Sequence, residues 1–120
     1  MILVDTSVWI DHLHSANLDL VDLLGRDEVG SHPLVIQELA MGSIKSRAGM
    51  LALLGSLRAF PVLSHDELLE LVAAKRLWGR GLSPVDAHLL GASLLAPGSA
   101  LWTRDKRLRA AASDVGVTFI

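Results

Sequence analysis

A parallel α/β fold is what this sequence predicts, and three observations predict it. Ile2-Leu3-Val4 and Ala100-Leu101-Trp102 are short apolar runs of the kind buried on both faces of a parallel sheet. Stretches with three- and four-residue apolar spacing lie between the extended pieces, so helices rather than hairpins connect the strands. Both runs also stop at polar segments, Asp5-Thr6-Ser7 and Thr103-Arg104-Asp105. Those segments fall at strand carboxyl ends, where open α/β sheets hold their ligands.

Composition narrows the class. The 120 residues are expected to form one domain, 1–120, large enough for a core without covalent staples. The absence of cysteine excludes disulfides and thiolate metal sites and fits a reducing, cytoplasmic setting. The N-terminus reads as a structural strand, not a signal peptide. No uncharged apolar run approaches about 18 residues, so no membrane-spanning helix is expected. A net charge of -2 gives no overall attraction for a polyanion; nucleic-acid binding would need a local basic patch or a bound cation.

Each element has a local cause. After the first strand, Thr6 to about Leu13 reads as a short helix carrying Val8, Trp9 and Ile10. A second helix runs from about Ala16 to Gly25, with Leu20, Leu23 and Leu24 inward and Asp19 and Asp22 outward. Glu28 to His32 is a short strand or turn. Pro33 suits the first position of a helix that Gly42 ends. Ile44, Ala48, Leu51, Leu54 and Leu57 predict a helix over about 44–57. Phe60 to Leu63 is extended. Ser64 and Glu67 form a capping box that starts a helix reaching about Trp78. Gly79 to Leu82 is a loop. Ser83-Pro84 starts a helix over about 85–96, rich in small and apolar residues and so largely buried, with Asp86 in its first turn. A last helix covers about 106–113, and Val117 to Ile120 is a final strand.

Four acidic residues stand out on this frame. Asp5 and Asp105 follow strands that share the carboxyl edge of a parallel sheet, Asp86 opens a buried helix, and Glu38 lies among Leu34, Val35, Ile36 and Leu39. A carboxylate among apolar neighbours is costly unless paired or metal-bound. Four together repel and raise at least one pKa. A divalent cation resolves the conflict, and oxygen-only ligands suit Mg²⁺ or Mn²⁺. Such a metal activates water and steadies the charge on a phosphodiester. Each acid also has a plainer local reading. Asp5 and Asp105 can cap helices, Asp86 can favour a helix dipole, and Glu38 can face solvent. The combination is specific where no single residue is.

Val4-Asp5-Thr6-Ser7-Val8-Trp9, Glu38-Leu39, Asp86 to Ala92, and Leu101-Trp102-Thr103-Arg104-Asp105-Lys106-Arg107-Leu108 together resemble the PIN-domain family. Within it, the chain is similar to the VapC-type toxins of prokaryotic toxin–antitoxin pairs, in order and over nearly its whole length. The resemblance implies a three-layer αβα fold with a mainly parallel five-stranded sheet. It implies an Mg²⁺- or Mn²⁺-dependent endoribonuclease that cuts structured RNA, often transfer or ribosomal RNA. Asp5, Glu38, Asp86 and Asp105 match the metal-binding acidic set, with Asp105 the one that can lie behind the direct ligands. Ser7 and Thr103 match hydroxyls that support the set. The implied partners are a small VapB-type antitoxin, one segment of which lies in an apolar groove and blocks the acids, and a second copy of the chain.

Lys75, Arg76, Arg80, Arg104, Lys106, Arg107 and Arg109 cluster along the chain near these acids. At least half read as ordinary solvated helix surface. Arg80 and Arg104, each in a loop or helix start beside an acidic segment, are the leading candidates for RNA phosphate contacts. Trp9, Trp78 and Trp102 are candidates for base stacking. Of these, Trp102 fits the core and Trp78 a partner surface. His12 and His14 read as surface residues, and His88 is a candidate general base with no second support. The many leucines of the 16–24 and 44–57 helices would form the partner groove if exposed. Two competing classes fit less well. A signalling receiver wants adjacent acids after the first strand and a strand-end Asp mid-chain. A haloacid-dehalogenase-like phosphatase wants Asp-x-Asp, and Ser7 occupies the second position. A catalytically silent RNA-binding or scaffold protein would not need the intact acidic set.

Overall fold

The computed structural model describes all residues, 1–120. Four strands, β1 (Ile2–Val4), β2 (Val29–Ser31), β3 (Arg58–Ala59) and β4 (Ala100–Trp102), form one sheet in the order β3-β2-β1-β4, every pair parallel. Six helices connect them and a seventh follows β4: α1 (Thr6–His14), α2 (Leu18–Gly25), α3 (Pro33–Ala40), α4 (Arg47–Ser56), α5 (His65–Lys75), α6 (Pro84–Leu94) and α7 (Lys106–Val115). Parallel pairing forces these crossovers. In consequence all four strands end on the same side, at Asp5, His32, Phe60 and Thr103.

The sheet has four strands, not the expected five. The 117–120 segment pairs with β4 through a single parallel bridge, Leu101 to Phe119. It is held by Leu101 N–H to the Thr118 carbonyl and Ile120 N–H to the Leu101 carbonyl, both 2.8 Å. One bridge is too short to make a ladder. The third extended piece sits at Arg58–Ala59 rather than 60–63, and the helix expected over 44–57 begins only at Arg47. Ser46 takes a left-handed conformation (φ 51°) with no side-chain cap, which breaks the helical path before it.

The central strands β1 and β4 contribute Leu3, Val4 and Leu101 to the core, against Val8 and Trp9 of α1, Leu89 and Leu90 of α6, and Leu108, Ala111 and Ala112 of α7. Burying each large side chain contributes about 1.5–3 kcal/mol, so the strand ends at Asp5 and Asp105 and the helix that carries Asp86 are anchored in the core. Trp9 is fully buried, which removes it from the stacking candidates. Trp102 is half-buried, and Trp78 is 63% exposed. His12 is half-buried rather than on the surface, and its Nδ1 accepts the Asn17 N–H (2.9 Å). Helix α6 lies close against its neighbours because residue 91 is glycine. A Cβ there would stand 2.6 Å from a Leu63 methyl and 3.1 Å from Leu71. No helix is long and apolar enough to cross a membrane.

Candidate active site

Asp5 is the best-defined group at the carboxyl edge. Its backbone N–H donates to the Trp102 carbonyl (2.8 Å), which carries the β1–β4 pairing one residue past the strand. Its side chain caps α1 by accepting the Thr6 N–H at Oδ1 (2.8 Å), as the local reading foresaw. It does more than cap. Oδ2 accepts the Thr103 hydroxyl (2.7 Å) and the Ser7 hydroxyl (3.3 Å). Thr103 is itself buried, and its oxygen also accepts the Asp105 N–H (3.1 Å). One hydroxyl therefore ties the end of β1 to the start of α7, with a fixed donor direction toward Asp5.

The other three acids sit at helix features that the sequence shows. Asp86 completes a capping box with Ser83, the Ser83 N–H donating to Oδ2 (2.9 Å) and the Asp86 N–H to Ser83 Oγ (3.1 Å). Asp105 caps α7 through Oδ1, which accepts the Arg107 and Leu108 N–H groups (2.8 and 3.1 Å). Glu38 is exposed on α3 and is reached by the Thr6 hydroxyl, which donates to Oε1 at 2.7 Å. Each plain local reading is thus met, and each leaves an oxygen over. Glu38 Oε2, Asp86 Oδ1 and Asp105 Oδ2 accept no hydrogen bond from the protein.

Charge links these residues pairwise: Glu38 acts on Asp5, and Asp5 and Asp105 act on Asp86. Burial pushes the Asp5 carboxyl above its ordinary range against the pull of its three hydrogen bonds, and the charge of Glu38 adds to the rise. Burial likewise raises Asp86, helped by the charges of Asp5 and Asp105. None of the four is in an ion pair with a basic side chain. Mutually repelling carboxylates, two of them desolvated and none with a counter-ion, are under-compensated. As their side chains stand, no three acidic or histidine residues are placed together to hold a metal ion. The donor set is nonetheless oxygen-only, negatively charged and supplied with spare oxygens, which is the chemistry a hard divalent cation fits.

A family model for the PIN domain matches residues 2–114. The chain belongs to the PIN-domain family. It is 63% identical over 117 residues to Ribonuclease VapC32 of Mycobacterium tuberculosis, in each of two strains, covering 98% of this chain and 94% of the relative. A crystal structure of PAE2754 from Pyrobaculum aerophilum shares the fold, with a TM-score of 0.65 at 19% identity over 98% of this chain and 87% of that one.

On this PIN domain the two arginines favoured from sequence are already engaged. Arg80 pairs with Asp114 of α7 (2.7 Å), and Arg104 pairs with Asp11 of α1 (2.7 Å). Two contributors escaped the sequence reading. Thr6 was visible only as half of a hydroxyl pair, and its bond to Glu38 spans 32 residues. His32 read as part of a weak strand. It is fully buried and caps α3, its Nδ1 accepting the Leu34 N–H (3.1 Å). Burial, with the nearby His88 (ring centroids 6.1 Å apart), lowers its pKa to about 4, so the ring stays neutral as this bond requires. Its place directly before Pro33 at a helix start was the available signal. His88 Nδ1 is buried without a hydrogen-bond partner, so nothing aims it as a base.

Proposed function

We propose that this PIN-domain chain is a divalent-cation-dependent endoribonuclease that cuts structured RNA, a transfer or ribosomal RNA. We further propose that it is the toxin of a toxin–antitoxin pair and acts in the cytoplasm. The observation that carries the reading is the under-compensated group of Asp5, Glu38, Asp86 and Asp105 at the carboxyl edge of the sheet. The likeness to Ribonuclease VapC32 supplies the substrate class.

In this reading Asp5, Glu38 and Asp86 would hold Mg²⁺ or Mn²⁺, with Asp105 beside or behind them. When bound, the cation supplies a more acidic water and stabilises charge on the phosphodiester. The residues of the chain do the rest. Thr103 and Ser7 donate to Asp5 Oδ2 and so fix which way that carboxylate faces. Thr6 holds Glu38 toward the same edge. Groups that orient ligating carboxylates commonly matter 10- to 100-fold to affinity or rate, by about that order. Arg104 and Arg80 lie beyond the acids as phosphate contacts. The Arg104–Asp11 pair is exposed, worth about 0–1 kcal/mol, so exchanging its carboxylate for an RNA phosphate costs little; Arg80 is more enclosed in its pair with Asp114.

The partner proposal has its own support. A groove of about 430 Å³ lies between α1 and the turn after α3, lined by Ile10, Leu13 and Ile44 with His14, Gly42, Ser43 and Lys45. Next in sequence to it Met41 is 88% exposed, and on α2 Leu18 is 79% exposed. We assign these apolar surfaces to a VapB-type antitoxin, and the Leu69–Trp78 surface to self-association. The test is cleavage of purified transfer and ribosomal RNA. The account expects cutting in Mg²⁺ or Mn²⁺, none in excess EDTA, none by Asp5→Asn, and slowed growth of cells expressing the wild type alone. Cutting that persists in EDTA would contradict the metal mechanism.

A further inference from the structure

The arginines around the site differ in what already holds them. Arg80 and Arg104 each face a carboxylate at 2.7 Å. Arg109 lies over the Phe119 ring, 5.2 Å from its centroid. Arg107 has neither an ion pair nor a hydrogen bond from its guanidinium, and it is exposed. It lies against the loop before α6. Its Nη1, Cδ and Cζ stand 2.6, 2.9 and 3.1 Å from where a Cβ at residue 81 would be, so the side chain spans the bare backbone of Gly81. Gly81 also has a φ of +76°, and Gly79 before it +70°, a left-handed path that favours glycine at both positions.

Two contacts align the loop with α7. Arg107 and Asp114 are seven residues apart, two turns on one helix face. Asp114 takes Arg80, and Arg107 takes Gly81, so residues 80 and 81 lie along that face. The two segments joined this way are the ones that carry Asp105 and Asp86. Gly81 is two residues before the Ser83 cap that Asp86 completes, and the Arg107 N–H donates to Asp105. No basic group is among the charges acting on Asp5 or Asp86, so the Arg107 charge is not consumed by the acids.

We infer that Arg107 is the arginine that takes an RNA phosphate beside these acids, lying over Gly81 in a pose that a side chain at position 81 would displace. An RNA approaching four carboxylates meets a repulsive field, and an unpaired guanidinium on the first turn of the helix that Asp105 caps offsets it while fork geometry orients the phosphate. This deepens, and rests on, the nuclease reading.

Two measurements test it. Binding of a labelled transfer RNA is followed in an Asp5→Asn background, in Mg²⁺, from 50 to 200 mM salt, and cleavage is followed in the active background. Arg107→Ala should weaken binding by about tenfold and reduce the salt slope by about 0.7–0.9. It should raise KM more than it lowers kcat. Arg107→Lys should recover part of the loss. Gly81→Ala should move both readouts the same way, and Arg109→Ala should move neither. Should Gly81→Ala fail to fold, judged by its melting curve, the Arg107 pair decides alone. Unchanged KM and salt slope in Arg107→Ala, with Asp5→Asn inactive, would overturn this assignment and leave the nuclease standing. A wild type that neither cuts nor binds RNA would overturn both.

Discussion

Two helices of this protein begin with the same device and put it to opposite use. Ser64 and Glu67 start α5, and Ser83 and Asp86 start α6, each pair exchanging the same two hydrogen bonds within 2.7–3.2 Å. Glu67 is exposed, and the bonds to Ser64 hold its carboxyl below the ordinary range. Asp86 makes the equivalent bonds, yet its carboxyl is pushed above that range by burial and by Asp5 and Asp105. A cap satisfies helix N–H groups wherever it occurs. Placement at the end of a parallel sheet, beside other acids, turns one cap into a candidate ligand; the shared Ser-x-x-acid pattern alone does not distinguish them.

Cleavage should break the symmetry most strongly. Asp86→Asn and Asp5→Asn keep the shape of the side chain and remove its charge, and RNA cutting should fall by about 10²–10³-fold or more. Glu67→Gln should cut like the wild type. Activity of Asp86→Asn equal to that of Glu67→Gln would reduce both boxes to helix starts.

Thr103→Val comes next. It removes the donor to Asp5 and the acceptor of the Asp105 N–H while keeping the buried volume, and should lower activity about 10- to 100-fold. Part of that loss should appear as a higher Mg²⁺ requirement, read from activity against metal concentration. An unchanged requirement would make Thr103 a packing residue only.

Stability without metal gives a smaller effect with a sign that differs between the boxes. A raised carboxyl means the charged form is disfavoured in the fold, so Asp86 costs stability as pH rises above the ordinary aspartate value. Asp86→Asn should therefore melt higher than wild type at pH 7 in EDTA. Glu67 is lowered, so its charge contributes stability at neutral pH that fades on acidification, and Glu67→Gln should melt slightly lower. His32 runs the other way from Asp86. Its pKa falls from 6.5 to about 4, so the unfolded chain binds the extra proton between those values. Stability should drop by on the order of 3 kcal/mol as pH falls from 6.5 to 4. His32→Asn, which can still cap α3, should flatten that slope in melts recorded across the window.

What could be read from the sequence follows the same division. Helix α1, the Ser64–Glu67 capping box, the helix start at Ser83-Pro84 and the four acids were legible because each rests on a few adjacent residues and a period; that Ser83 and Asp86 also close a capping box was not read. Strand β3 slipped by two residues, and the fifth strand shrank to one bridge, because strands this short carry almost no pattern of their own. The engagement of Arg80 by Asp114 and of Arg104 by Asp11 spans 34 and 93 residues along the chain. Only the fold brings those pairs together. The seat of Arg107 on Gly81 is of the same kind: two glycines announced a loop, and nothing local announced what would lie on it.

The most direct test of the claim that these acids form one cation site is Mn²⁺ titration by calorimetry on the wild type, Glu67→Gln and Asp86→Asn. The account predicts saturable binding to the wild type, the same binding to Glu67→Gln, and its loss in Asp86→Asn. No binding to the wild type, or equal binding to all three proteins, would contradict it.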